Sequence, residues 1–160
     1  MATGQELPIN TGATALQMAQ TIFGDGVTVV GATYSGDSVS SGIYTNGDTV
    51  SPDVTPGDTG VILTTGHVRN FTQPDGDPNR SGLSSYNSTG QNGNPLFNAL
   101  AGASTFDAAI LTTQFIPTTE FLSTQFTFSS EEYPEFTGSI YNDAVGIWIN
   151  GQLVTSPIVN

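Results

Sequence analysis

From Val27 onward, short runs of β-branched and aromatic residues are separated by Gly, Asn, Asp and Pro. In the predicted strand that contains residues 122–128, alternate side chains face opposite sides: Leu122, Thr124, Phe126 and Phe128 on one side, and Ser123, Gln125 and Thr127 on the other. One side is therefore expected to pack and the other to meet solvent or a ligand. Such strands predict a mainly β fold, a β-sandwich or jelly-roll-like arrangement. The predicted strands are Val27–Tyr34, Val61–Thr65, Ala109–Phe115, Phe121–Phe128, Ala144–Asn150 and Leu153–Ile158.

One short helix precedes these strands. Thr14 with Gln17 fits a capping box, and apolar residues recur on one helical face as far as Phe23. Gly24 then supplies a stop signal. The sequence therefore predicts a single N-terminal helix, Thr14–Phe23, lying against the core.

Two connections between these elements are informative. Asn150-Gly151 is a strong signal for a type I′ turn and predicts a hairpin joining the last two strands. From Gly66 to Asn98 the chain is polar with little apolar periodicity, which indicates a long loop that is either functional or loosely ordered. No internal repeat or boundary divides the sequence, so residues 1–160 are predicted to form one domain.

The charge of the chain is one-sided, with 14 Asp and Glu against two Arg and a net charge of −12. Nucleic-acid binding depends on Lys and Arg, so nucleic acid and anionic lipid are not expected as partners. Carboxylates that repel one another destabilise the compact state unless cations lie between them, and Ca²⁺ prefers oxygen ligands. The alternative is that acidity only keeps a secreted protein soluble.

Cysteine is absent, which rules out disulfides and thiolate metal sites. The sequence contains no run of about 18 apolar residues, so membrane insertion is not expected. Residues 1–6 lack the charged start and apolar stretch of a signal peptide, so we expect no leader within this chain.

The densest group of oxygen ligands lies in Ser129–Gly151, called here the acidic segment. Consecutive residues of a strand face opposite ways, so Glu131 and Glu132 share a site only if the backbone bends, and Pro134 favours a bend. A solvated acidic turn is the alternative. The calcium ligands predicted in this segment are Glu131, Glu132, Asn142 and Asp143.

A second candidate cluster, PDGDPNR, lies in the polar stretch. Asp75, Asp77 and Asn79 alternate as in the opening of an EF-hand loop, but Arg80 and Tyr86 stand where that loop needs Gly and Glu. It is therefore not an EF-hand. These three residues are candidate calcium ligands, or they simply initiate turns.

Asp107, in the run TFDAAIL, lies at the mouth of the predicted buried strand Ala109–Phe115. An unpaired carboxylate is costly in such a place, so Asp107 is expected to contact a cation or several amide donors. It is the last of the predicted calcium ligands.

Signatures of catalysis are mostly missing. The single histidine, His67, cannot form a multi-histidine zinc site, and the common nucleophile and phosphate-binding motifs are absent. The sequence favours a non-catalytic protein, although a glycosidase needs only two carboxylates, such as Glu132 with Asp143 or Asp107. A glycan-binding alternative would use aromatic platforms, for which the candidates are Tyr34, Tyr86, Tyr133 and Trp148.

The run FTFSSEEYPEFTGSIYNDAVGIWINGQ resembles the signature of the choice-of-anchor L domain of bacterial surface and secreted proteins. Supporting matches are GDGVTVVGATYSGD, DTGVILTTG, GDPNRS and STFDAAIL. The matches extend over most of the chain from Ala13 to Gly151, and SEEYPEF with YND is the most specific part. The hallmark positions carried over are Asp107, Glu131, Glu132, Tyr133, Pro134, Asn142 and Asp143.

The resemblance implies an extracellular or cell-surface β-rich module, and we expect calcium-assisted adhesion or surface assembly. Family domains usually continue through further strands after the Asn150-Gly151 hairpin, so this chain is expected to lack their C-terminal strands. Its sheet would then have unpaired edges. We expect strand addition by a protein partner or a neighbouring protomer, as in a structural subunit of an extracellular filament.

Overall fold

The computed structural model describes residues 6–72, 87–130 and 143–154. Within these residues the strands form antiparallel sheets, which confirms the mainly β class. Short 3₁₀ turns lie at Gly24–Gly26 and Val68–Asn70. The elements are β1 (Ile9–Asn10), α1 (Ala15–Phe23), β2 (Val27–Ser35), β3 (Ser41–Tyr44), α2 (Gly47–Val50), β4 (Gly60–Leu63), α3 (Pro95–Ala101), β5 (Ile110–Pro117), β6 (Trp148–Ile149) and β7 (Gln152–Leu153).

Helix α1 forms where the sequence predicts it and has the predicted caps. The Gln17 N–H donates to Thr14 Oγ1 at 3.2 Å, and the Thr14 N–H donates to Gln17 Oε1 at 2.9 Å, which completes the capping box. Gly24 ends the helix at a positive φ of 56°. Met18 and Ala19 are buried, and α1 packs against both β2–β5 and β3–β4. The helix therefore joins two sheets through one apolar face.

The first sheet has the order β1-β3-β4. Leu7, Ile9, Tyr44 and Val68 form its buried apolar cluster. A Cβ on Gly42 would lie 2.6 Å from Ile9 Cγ2 and 2.9 Å from the Asn10 carbonyl oxygen, so glycine permits β1 to approach β3. Strand β3 is absent from the sequence predictions because SSGIY has weak β propensity and no clear alternation.

The second sheet is a ribbon of β2 and β5, paired from Val27 with Pro117 to Ser35 with Ile110. The register shifts between Val29 and Gly31, which leaves Val30 as a bulge that is 60% exposed. The predicted strands Val27–Tyr34 and Ala109–Phe115 correspond closely to β2 and β5. The Phe23 ring of α1 packs 4.7 Å from the Phe115 ring, which attaches the ribbon to the helix.

The predicted hairpin at Asn150-Gly151 is confirmed. Both residues have positive φ, 50° and 78°, as a type I′ turn requires, and Trp148 pairs with Leu153 across it. The strands are shorter than predicted. Of Ala144–Asn150 only β6 is a strand, and of Leu153–Ile158 only Leu153 belongs to β7, while residues 155–158 lie outside the described residues.

One predicted strand was wrong. Phe121–Phe128 forms no strand in the described structure, because alternation alone cannot replace a neighbouring backbone to complete the ladder. The described residues also contain two further short helices, α2 and α3, which leaves the predicted mainly β class unchanged. Helix α3 has an Asn94 cap and Pro95 in its first turn, but with 7 residues it is too short to show a periodic pattern. No helix in the described residues could cross a membrane.

Candidate functional site

Of the predicted calcium ligands, Asp107 and Asp143 are among the described residues. The others, Glu131, Glu132, Asn142, Asp75, Asp77 and Asn79, lie outside them. The parts of the chain that the structure describes contain no group of three or more His, Cys, Asp or Glu side chains that could hold a metal ion. The calcium site therefore stays a prediction.

Two residues of the acidic segment that are distant in sequence are in contact in the structure. Ser130 Oγ donates a hydrogen bond to Asp143 Oδ2 at 2.6 Å, across 13 positions of sequence. Asp143 is exposed, so its carboxylate has room for a further partner. In the sequence Glu131 follows Ser130 directly, and Asn142 directly precedes Asp143. The contact therefore brings together the residues that flank two predicted ligands.

Asp107 lies at the start of β5, as predicted, in a left-handed conformation with φ of 56°. Its main-chain N–H donates to Asn92 Oδ1 at 2.9 Å, next to the isolated bridge between Gln91 and Ala108. Among the described residues this polar contact is made by the main chain of Asp107 rather than by its half-buried carboxylate. The expected cation or amide donors around the Asp107 carboxylate stay a prediction. Another aspartate of the described residues does accept several amide hydrogen bonds.

That aspartate is Asp37, in the connection between β2 and β3, which the sequence analysis did not select. It is buried, and its Oδ1 accepts from the Val39 N–H at 3.1 Å. Its Oδ2 accepts from the Thr89 N–H at 2.9 Å and from Thr89 Oγ1 at 3.0 Å. Hydrogen bonds from Thr89 and then Val39 lower the pKa of the Asp37 carboxyl below its ordinary value of 3.8. Asp37 thus joins the first half of the chain to Thr89 in the polar stretch.

The sequence contains a signal for one of the two Asp37 contacts, the one with Val39. Asp followed by Ser between two apolar runs is typical of an Asx turn, which is the contact of Asp37 with Val39. The contact with Thr89 spans 52 positions, and no local pattern indicates it.

Replacing Asp37 with Asn tests this contact. In the wild type both carboxylate oxygens accept hydrogen bonds, from the N–H groups of Val39 and Thr89. The NH₂ group of an Asn must face one of these N–H groups, and two donors then face each other without an acceptor. We expect the Tm at pH 7 to fall by about 5 °C in thermal unfolding. The lowered pKa means that this stabilisation is complete above the unfolded value and is lost as the pH falls through the folded value.

The difference in Tm between wild type and Asp37→Asn should therefore shrink as the pH falls below about 4. Asp25→Asn is the control, because Asp25 is exposed in a 3₁₀ turn. A difference in Tm that stays constant down to pH 2, or an equal loss in the control, would contradict the role of Asp37.

Two of the four candidate glycan platforms make internal contacts. The Tyr34 hydroxyl donates to the Asp37 carbonyl at 2.9 Å, and burial raises the pKa of this tyrosine. Trp148 packs edge to face on Phe97 with 5.4 Å between ring centroids. Tyr86 and Tyr133 lie outside the described residues. The structure thus gives Tyr34 and Trp148 a packing role.

An open cleft lies between α1 and the strands β1 and β3. Its volume is about 660 Å³, and its polar lining includes Asn10, Gln17, Gln20 and Thr45. None of the described residues that line it is titratable. These residues offer hydrogen-bonding groups but no pair of carboxylates for acid–base chemistry.

A family model described as the choice-of-anchor L domain matches residues 8–160. Comparison with curated proteins and with solved structures gives no match. The family match covers nearly the whole chain and includes both the Asp37 contact and the acidic segment.

Proposed function

The chain belongs to the choice-of-anchor L domain family, and we propose that this surface-associated, non-enzymatic module binds calcium at its acidic segment. The family is found in bacterial proteins that are secreted or attached to the cell surface. In the proposed mechanism the bound ion holds the acidic segment in one geometry and so fixes a face used in adhesion or surface assembly.

The observation that carries the proposal is the contact of Ser130 with Asp143. This hydrogen bond places Asp143, one predicted ligand, beside Ser130, the residue that precedes the predicted ligand Glu131 in the sequence. A calcium ion takes six to eight oxygens at about 2.3–2.6 Å and needs such closeness between ligands distant in sequence.

The distribution of charge supports the same proposal. The two cationic side chains of the protein, Arg69 and Arg80, both lie outside the acidic segment in the sequence. Between Ser129 and Gly151 there are four carboxylates, Glu131, Glu132, Glu135 and Asp143, and no Lys or Arg. A divalent ion would offset their mutual repulsion, which no side chain within the segment can do.

Calcium should therefore raise the Tm of the wild-type chain. A ligand of the native state stabilises by RT ln(1 + [L]/Kd), which is about 1.4 kcal/mol at 10 mM calcium for a Kd of about 1 mM, typical of extracellular modules. Differential scanning calorimetry in calcium and in EDTA, at equal ionic strength, measures the shift. The double variant Glu131→Gln/Glu132→Gln should lose it.

A matched control removes the same charge elsewhere. Asp48→Asn/Asp53→Asn takes two carboxylates from the region of α2, and Asn tolerates the positive φ of Asp53. This control should keep the full response to calcium. An unchanged wild-type Tm in calcium, or a response that both double variants lose, would refute the calcium site and leave a purely structural surface module.

A further inference from the structure

The outer edge of β5 differs from the other sheet edges in the described structure. Strand β5 has 8 residues and no bulge of its own, and no strand among the described residues pairs with its second edge. Strand β2 carries a bulge, and β1 and β4 are only 2 and 4 residues long. Bulges and short length are two of the devices that protect edges, and among the described strands β5 has neither. Its proline, Pro117, stands only at the last position of the strand.

Charge also fails to protect this edge. Residues 26–36 and 108–119, which include β2 and β5, contain no Asp, Glu, Lys or Arg. Ile116, near the end of β5, is 59% exposed. The net charge of −12 makes two copies repel each other overall, so a stretch without carboxylates is a favourable place of approach. This ribbon is therefore a surface on which a second copy can approach without opposing carboxylates.

A complementary segment follows directly. Residues Phe121–Phe128 match β5 in length, have the alternation of a strand and carry no charge. All of them are exposed, with Phe121 at 87% and Phe126 and Phe128 at 52%. This exchange segment has no ladder partner in the described residues. Large apolar side chains exposed along one stretch mark a surface that becomes covered.

The connection disfavours pairing of the exchange segment with β5 of its own chain. Only Thr118, Thr119 and Glu120 separate the two, and a three-residue hairpin loop normally needs Gly or Asn in a left-handed conformation. The connection contains neither, and none of its residues has a positive φ. Short hinge loops that cannot turn tightly favour exchange of the following strand between copies.

We infer that the exchange segment of one copy adds as a strand to the free edge of β5 in a second copy. Reciprocal exchange gives a closed dimer with two new ladders and covers the exposed Phe and Leu side chains. The inference is independent of calcium, because neither β5 nor the exchange segment contains a carboxylate.

Sedimentation equilibrium in EDTA, over a concentration series, tests the inference with Thr124→Pro. Proline lacks the N–H that a ladder needs, but Thr124 is exposed and outside any strand, so the monomer should tolerate it. We expect the wild type to form dimers and Thr124→Pro to raise the dimer dissociation constant by about 10-fold or more. Thr124→Val, which keeps the N–H, should dimerise as the wild type does.

Hydrogen exchange of residues 121–128 distinguishes the remaining outcomes. Protection that grows with protein concentration supports strand exchange between copies. A monomer at every concentration overturns the inference, whether the segment is unprotected or is protected by its own β5. A dimer that Thr124→Pro leaves intact also overturns it, because another face would then form the contact.

Discussion

Replacing Met18 with Ala is expected to lower the free energy of unfolding by about 2–5 kcal/mol, the range for truncating a large buried apolar side chain to Ala. Met18 is 1% exposed on α1, the helix that packs against strands of both sheets. A cavity there removes apolar contacts from the helix that connects the two sheets. Since domains are stable by only about 5–15 kcal/mol, urea unfolding should show a clearly lower midpoint.

Leu16→Ala is the matched control on the same helix. Leu16 is 42% exposed, so less apolar surface returns to water, and Ala is a good helix former at both positions. The free energy of unfolding should therefore fall much less in Leu16→Ala than in Met18→Ala. An equal fall in the free energy of unfolding for both variants would contradict the orientation of α1 in which Met18 is buried and Leu16 is exposed.

Gly90→Ala is expected to lower the free energy of unfolding by about 1–3 kcal/mol. A Cβ at this position would lie 2.7 Å from the carbonyl oxygen of Asp107 and 2.8 Å from its Cα. Both atoms are main chain and cannot rotate away, so the end of the polar stretch must move from the start of β5. The Asp37 contact with Thr89, one residue earlier, should weaken with it.

The control for this substitution is Gly57→Ala. A Cβ on Gly57 would meet nothing within 4 Å, and its φ is not left-handed. Its free energy of unfolding should stay within about 0.5 kcal/mol of wild type in the same urea titration. If Gly90→Ala were equally neutral, residues 88–91 would not pack against Asp107, and the position described for Asp37 would be wrong.

The features that the sequence predicted well are those with a local cause. The capping box of Thr14 and Gln17 and the positive φ of Asn150 and Gly151 depend on residues a few positions apart, so the helix and the hairpin could be identified directly. The alternation of Val27–Tyr34 indicated β2 for the same reason. Strand β3 could not be identified, because SSGIY has weak β propensity and the close approach of Ile9 to Gly42 is a tertiary contact.

In the candidate site, too, the features with a local cause could be predicted and those that depend on tertiary contacts could not. The sequence by itself determined the family, the mainly β class and the excess of carboxylates, because these follow from residue types and short spacings. Only the tertiary structure brought Thr89 to the Asp37 carboxylate and joined Ser130 to Asp143, and only it showed that no described strand pairs with the second edge of β5. Those contacts connect residues far apart in the chain, and their energy depends on backbone positions that no local pattern encodes.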